Sequence, residues 1–327
     1  MNELKSIYKA KFIYLTVVFF IIFSFLSACS LGNDLWPTSL PKSDILFQST
    51  MGWRPFTLNF IQADGSNLQK MILDENFALP TFSKDYTFLY GLSSPDGYPL
   101  SEFGGYPAYW NLKTGQFKRC SENLPLFTNI LSDPVEDNPN LVFLNNYTEL
   151  ILFNIDTCQE IQKIVDYSNN PGQVHIAGIS YSSSRRELIY GLITEKLGSY
   201  DTRVYSLIKH KMENGEEVGL GKGINPAWSP DEKQLAYVNE EGIFIMQADG
   251  SQTRQILKTK FYPPFGPDNP VEGAPRPKWS PDAKWLVFDQ CETKLCDVKE
   301  TPIYKIRVED GTLQKIFTGG KYPIWQP

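Results

Sequence analysis

Histidine is almost absent from this chain: His175 and His210 are the only two among 327 residues. That number excludes a metal site built from several histidines. His210 stands in Lys209-His210-Lys211, which reads as a solvated basic face, and His175 reads as a structural histidine. No Lys/Arg-rich stripe is present, so nucleic acid is not an expected partner. No Gly-x-Ser-x-Gly elbow marks a nucleophile. Gly219-Leu220-Gly221-Lys222-Gly223 has no helix behind it to cradle a phosphate and reads as a linker. Ser94-Pro95-Asp96-Gly97 and Asp268-Asn269 offer oxygens to a hard cation, but turn chemistry explains both. No catalytic constellation emerges, no metal or other cofactor is expected, and the chain reads as non-enzymatic.

Long apolar runs are also scarce, with one exception at the start. Residues 1–11 are basic, Phe12 to Ala28 is almost wholly apolar, and Leu26-Ser27-Ala28-Cys29 follows. The stretch is short for a membrane span and ends on small residues, as a cleavable signal does. It resembles a bacterial lipoprotein signal over residues 1–28, with the thiol of Cys29 taking the lipid. Residues 29–43 form a tether that reaches about 45 Å at most. The resemblance implies an extracytoplasmic protein of the cell envelope, held on a membrane by its N-terminal lipid. Without a leader carrying Lys5, Lys9, Lys11 and Glu3, 28 basic and 36 acidic residues remain, a net charge of −8.

Cysteine is limited to five residues. With Cys29 lipidated, four remain in an oxidising compartment, an even number that favours two disulfides. Cys291 and Cys296 are close in sequence and pair most simply. Cys120 and Cys158 are then left for each other, although the strand reading sets them at different heights in adjacent repeats. Neither pair has zinc-ribbon spacing.

What the chain does have is repetition. Pro226-Ala227-Trp228-Ser229-Pro230-Asp231 recurs as Pro277-Lys278-Trp279-Ser280-Pro281-Asp282, and Pro323-Ile324-Trp325 starts the phrase again. The steps between the tryptophans are 51 and 46 residues. Weaker copies fall at Phe82-Ser83, near Leu131 and at Tyr181-Ser182. From Phe82 to Trp325 is 243 residues, or five steps of about 49. The copy from Asn225 reads as four short antiparallel strands, with an Asp249-Gly250 hairpin signal between the third and fourth. That signal recurs at Asp64-Gly65, Thr114-Gly115, Asp156-Thr157, Asn214-Gly215 and Asp310-Gly311. Four strands per repeat is a propeller blade. Asp44 to Phe47 reads as a second strand lacking a first, and Pro323 to Trp325 as a first strand lacking a second. Joined, they close an all-β, six-bladed propeller over residues 44–327.

The Trp-Ser-Pro-Asp copies, each with an apolar strand and an Asp-Gly turn behind it, resemble the WD-like repeats of the TolB-type six-bladed propeller. The resemblance implies an envelope protein that binds other proteins or small ligands. It covers residues 44–327 and lacks the separate N-terminal domain of TolB itself.

In such a ring the turns joining strands one to two and three to four share one face. They read as short Ser-Pro-Asp and Asp-Gly turns. Connections between strands two and three, and between blades, share the other face, and there the long insertions are expected. Binding residues concentrate on long loops held by a rigid scaffold. The expected rim is aromatic, with Tyr98, Phe103 and Tyr106 in one loop and Phe261, Tyr262 and Phe265 in another. The competing reading has these rings fold down and plug gaps between blades. The leading functional expectation is a monomer that binds an envelope protein or polymer through that face. The alternative is an extracytoplasmic hydrolase or lactonase with a carboxylate-held metal in the central channel.

Overall fold

The computed structural model describes residues 40–49, 56–73, 77–83, 85–94, 104–120, 124–131, 138–169, 174–196, 199–259, 274–290 and 298–326. These residues form 24 strands in six four-stranded antiparallel sheets. Blade one takes β1 (Ile45–Gln48), β2 (Phe56–Ile61) and β3 (Gln69–Leu73). Blade two is β4 (Ala78–Phe82), β5 (Phe88–Ser93), β6 (Tyr106–Asn111) and β7 (Phe117–Arg119). Blade three is β8 (Asn129–Leu131), β9 (Leu141–Asn146), β10 (Glu149–Asn154) and β11 (Gln159–Asp166). Blade four is β12 (Val174–Ser182), β13 (Glu187–Lys196), β14 (Ser199–Lys211) and β15 (Glu217–Gly221). Blade five is β16 (Ile224–Trp228), β17 (Gln234–Asn239), β18 (Gly242–Gln247) and β19 (Arg254–Lys258). Blade six is β20 (Lys278–Trp279), β21 (Trp285–Asp289), β22 (Pro302–Arg307) and β23 (Leu313–Thr318). The last strand, β24 (Lys321–Trp325), pairs antiparallel with β1 and supplies the missing first strand of blade one.

The repeated phrase is the first strand and the turn behind it. Ser229 Oγ donates to Asp231 Oδ1 at 2.7 Å, and the Gln234 amide donates to Ser229 Oγ at 3.0 Å. Ser280 with Asp282, and Ser83 with Asp85, repeat this geometry. The next residue, Glu232, Ala283 or Tyr86, takes a left-handed conformation with φ of 55–57°. This is a tight turn closed by a left-handed residue, as hairpin twist requires. The other turns on the same face use an Asx motif: Asp249 Oδ1 accepts from the Ser251 amide at 2.8 Å, and Asp64 Oδ1 from the Ser66 amide at 2.8 Å. In blade three Cys158 stands where Gly115 stands in blade two, and it adopts φ 56°.

The core lies in the seams between blades. Leu46, Leu58, Phe60 and Ile324 of blade one pack on Leu89, Ala108 and Trp110 of blade two. Between blades five and six, Ala236, Ile243 and Ile245 pack on Leu286, Phe288 and Ile306. The ring closes where Ile45, Phe47 and Ile61 meet Val287 and Ile303 of blade six. Fully burying one such side chain is worth about 1.5–3 kcal/mol, so each seam is a substantial fraction of the fold's stability.

Cys120 and Cys158 form a disulfide between blades two and three. Cys120 follows β7 opposite Pro107, and Cys158 lies in the turn between β10 and β11, so the two stand at different levels of their own blades and still meet across the seam. Lys118 pairs with Asp156 beside it. A cross-link of this span contributes about 2–4 kcal/mol. Cys29, Cys291 and Cys296 lie outside the described residues. Two expectations need correction. The connection from β8 to β9 runs over residues 132–140, so the short-turn face carries one long connection. His210 is buried at 8% exposure, not solvated, with Nδ1 3.4 Å from Glu217. Lys209 and Lys211 project from the opposite side of β14 toward Glu187 and Glu216.

Candidate functional site

The first strands surround a funnel. In five blades they start from the long-loop side past Leu79, Gly178, Asn225, Arg276 and Tyr322, and three residues later reach Phe82, Tyr181, Trp228, Trp279 and Trp325. That step is about 10 Å of extended chain. The starting residues line a throat of about 40 Å³, and the ending residues line a bowl of about 350 Å³ on the short-turn face. Thr81, Lys278 and Ile324 line both, so the two spaces adjoin.

The throat is shaped by a recurrent bulge. Strand register shifts between Ala78 and Thr81, Ala177 and Ile179, and Ile224 and Ala227. At the bulge Leu79, Gly178, Asn225 and Tyr322 have φ between 50° and 71°. A bulky residue held there costs about 1–3 kcal/mol, a strain that the surrounding sheet must impose. Gly178 also admits no side chain, because a Cβ would lie 2.7 Å from Asn225. The Arg276 guanidinium stacks 5.1 Å from the Tyr322 ring centroid. Arg276 and Lys278 are the charged residues of the throat lining. Asp289 lies behind the lining, at the end of β21. Burial pushes its carboxyl up from the ordinary value, against the pull of Lys321 and Arg276. Its Oδ1 is buried and has no hydrogen-bond partner among the described residues.

The bowl is aromatic. Phe82, Tyr86, Tyr181, Trp228, Trp279 and Trp325 line it. Tyr86 stands at its edge, 43% exposed, and meets the Phe82 ring at 5.9 Å. The tryptophans differ in their polar contacts. Trp279 Nε1 donates to the Ala227 carbonyl at 2.8 Å, and Trp325 Nε1 donates to the Lys278 carbonyl at 3.1 Å. Each indole thus clasps the preceding blade. Trp228 is 8% exposed, yet its Nε1 has no hydrogen-bond partner among the described residues. Its seam is held otherwise. Ser180 Oγ accepts from the Trp228 amide at 3.0 Å. Glu232 accepts from Ser182 Oγ at 2.6 Å, from Ser183 Oγ at 3.3 Å and from the Ser184 amide at 3.2 Å. Burial pulls the Glu232 carboxyl up, but the donors of Ser182, Ser184 and Ser183 outweigh it and hold the group below its ordinary value. Arg185 donates to the Glu232 carbonyl and lies 5.9 Å from the Trp228 ring centroid.

Of the rim anticipated from sequence, Tyr106 opens β6 on the long-loop side and is part-buried. Tyr98, Phe103, Phe261, Tyr262 and Phe265 lie outside the described residues. His175 is in β12, its ring 6.0 Å from that of Tyr147. Sequence reasoning missed Arg276, Lys278, Tyr322 and Tyr86. For Arg276, Lys278 and Tyr322 the signal that could have found them is positional, one or three residues before a repeated aromatic, whereas Tyr86 follows Phe82 by four. Among the described residues no three His, Cys, Asp or Glu side chains converge as metal ligands.

No protein-family model matches the sequence, and no curated protein is significantly similar to it. Solved structures are. One assigned as TolB from Agrobacterium tumefaciens matches with a TM-score of 0.56 at 15% identity, over 80% of this chain and 94% of that one. This is a TolB-like six-bladed β-propeller fold. A puromycin hydrolase matches with a TM-score of 0.50 at 12% identity, over 73% of this chain and 39% of that one. Oligogalacturonate lyase from Vibrio parahaemolyticus matches with a TM-score of 0.47 at 18% identity, over 85% and 74%. At these identities the likeness is one of fold, and a propeller fold hosts both binding proteins and enzymes.

Proposed function

We propose that this propeller is a non-enzymatic binding module of the cell envelope, held to a membrane by a lipid on Cys29, and that it takes a protein or ligand at the mouth of its channel. The aromatic bowl carries the reading. Its volume of about 350 Å³ falls in the range of ligand cavities, roughly 300 Å³ upward. Its walls are built by the first strands of five blades and the turns behind them. The sequence pointed to the long-loop face, but the cavity formed by the described residues opens on the opposite face, and the proposal follows the cavity.

The test is site-specific crosslinking in native envelopes. A photo-reactive residue at Tyr86, on the bowl edge, should yield a discrete adduct. The same group at Ile161, exposed on the outer strand β11, should not. Adducts at both positions or at neither would contradict a site at the mouth. The alternative of a metal-dependent hydrolase or lactonase predicts one stoichiometric cation in the purified protein, whereas the binding-module reading predicts none.

A further inference from the structure

The chain enters the ring on the same face as the bowl. Leu40 packs on the core shared by blades one and two, in the cluster that also holds Phe82 of the bowl and Leu112 of the turn after β6. The Lys42 carbonyl accepts from Gln62 Nε2 at 3.3 Å, Ser43 Oγ donates to Gln326 Oε1, and the Asp44 amide donates to the Ile61 carbonyl at 3.2 Å. Gln62 opens the turn between β2 and β3, and Gln326 follows β24, so residues 40–44 are tied down on the short-turn face. Cys29 is eleven residues before Leu40, a separation of about 36 Å at most. The outer rim of that face is acidic. Of the six turns between third and fourth strands, five carry an exposed carboxylate, on Asp64, Asp156, Glu213, Asp249 and Asp310, and the sixth carries Lys113. The inner turns pair Asp231 with Lys233 at 3.4 Å and Asp282 with Lys284 at 3.7 Å, and Arg185 and Arg186 between β12 and β13 offset only part of the rim.

We infer that the bowl face is turned toward the membrane that holds the Cys29 lipid, and that it docks a basic extracytoplasmic segment of a protein embedded in that membrane. This rests on the lipid anchor and the channel-mouth reading proposed above, and adds the orientation and the chemistry of the partner. The reach of the chain carries the orientation. Laying the opposite face on the membrane would take about 20 Å of that reach for the height of a six-residue strand and about 10 Å more to pass β2 and β3. With the bowl face down, the whole of it is left as clearance. The space before the bowl is then at most about 36 Å deep and bounded by the bilayer, where segments next to membrane spans lie. Charge selects the occupant. An acidic rim is complementary to a basic segment, whereas anionic lipid headgroups meet like charge and are repelled.

Two measurements on the full lipidated chain test this. The first places a donor dye at Tyr86 or at Glu241, exposed in the β17–β18 turn of the opposite face, in vesicles of phosphatidylethanolamine and phosphatidylglycerol that carry an acceptor dye on the headgroups. Energy transfer should put Tyr86 nearer the bilayer by up to about 20 Å, the height of a strand. Equal or reversed distances overturn the inference. A chain with no lipid on Cys29 also overturns it, and the Tyr86 adduct then tests the channel mouth alone. The second identifies the Tyr86 adduct from native envelopes by mass spectrometry. The crosslinked peptide should be rich in Lys and Arg and adjoin a membrane span. Its yield should fall severalfold in about 1 M salt, where charges are screened beyond about 3 Å. An adduct to lipid means that the bilayer itself covers the bowl and overturns the inference. An adduct to a soluble protein or an envelope polymer overturns it too, but leaves the channel-mouth reading standing. Lys233, exposed on the same face, takes the photo-reactive group or the dye if a Tyr86 substitution does not fold. No adduct at either position ends both readings.

Discussion

The seams of the ring solve the same problem in two ways. Between blades five and six, and between blades six and one, an indole from the repeated phrase donates to the carbonyl of the preceding blade. Between blades four and five the indole of Trp228 makes no such bond, and Glu232 holds three consecutive serines instead. The first arrangement makes tryptophan a clasp. The second transfers the clasp to a carboxylate and leaves the buried indole donor without a bond among the described residues. The same residue type at the same repeat position is therefore bonded across the seam in two blades and not in a third.

The largest test breaks the clasp altogether. Deleting residues 321–327 removes β24, the buried Ile324 and the Trp325 bond to blade six. At about 1.5–3 kcal/mol for each large buried side chain, the loss is comparable to the 5–15 kcal/mol that holds a whole domain together. The truncated chain should show no cooperative thermal transition near that of the full chain. An unchanged melting temperature would mean that β24 does not close the ring.

A smaller effect separates the two kinds of tryptophan. Trp279→Phe and Trp228→Phe lose similar volume, but only the first also breaks a hydrogen bond and strands the Ala227 carbonyl. Denaturant unfolding should find Trp279→Phe less stable than Trp228→Phe by about 1 kcal/mol. Equal losses would remove the distinction between clasp and donor.

The smallest effect is the pH signature of the substitute clasp. The folded Glu232 carboxyl titrates below its unfolded value, so its contribution is present above the unfolded value near 4.5 and is lost as pH falls through the lowered folded one. The stability gap between wild type and Glu232→Gln should therefore be widest near neutral pH and narrow on acidification toward pH 3. The side chain is part-exposed, which keeps the effect small. A gap that grows on acidification would contradict this account of the seam.

Much of the fold was legible because the repeated residues do local work. Ser229, Asp231 and their counterparts close turns within five residues, so their spacing alone marked blades two, five and six. Pairing of β24 with β1 followed from counting an orphan strand at each end. The site was less legible, because Arg276, Lys278, Tyr322 and Trp228 come from three blades and meet only through ring closure. His210 was misread because its lysine neighbours point the other way from a strand whose alternate side chains face opposite sides. Cys120 and Cys158 were matched by elimination, while the packing of β7 on the β10–β11 turn of the next blade, where Lys118 also meets Asp156, was not visible in the spacing.

The contrast between the tryptophans can be read directly by indole N–H resonances. With ¹⁵N-labelled protein, and Trp228→Phe and Trp279→Phe used for assignment, the Nε1–H signals of Trp279 and Trp325, bonded to the Ala227 and Lys278 carbonyls, should lie downfield of the Trp228 signal. A Trp228 signal downfield of both would contradict the account.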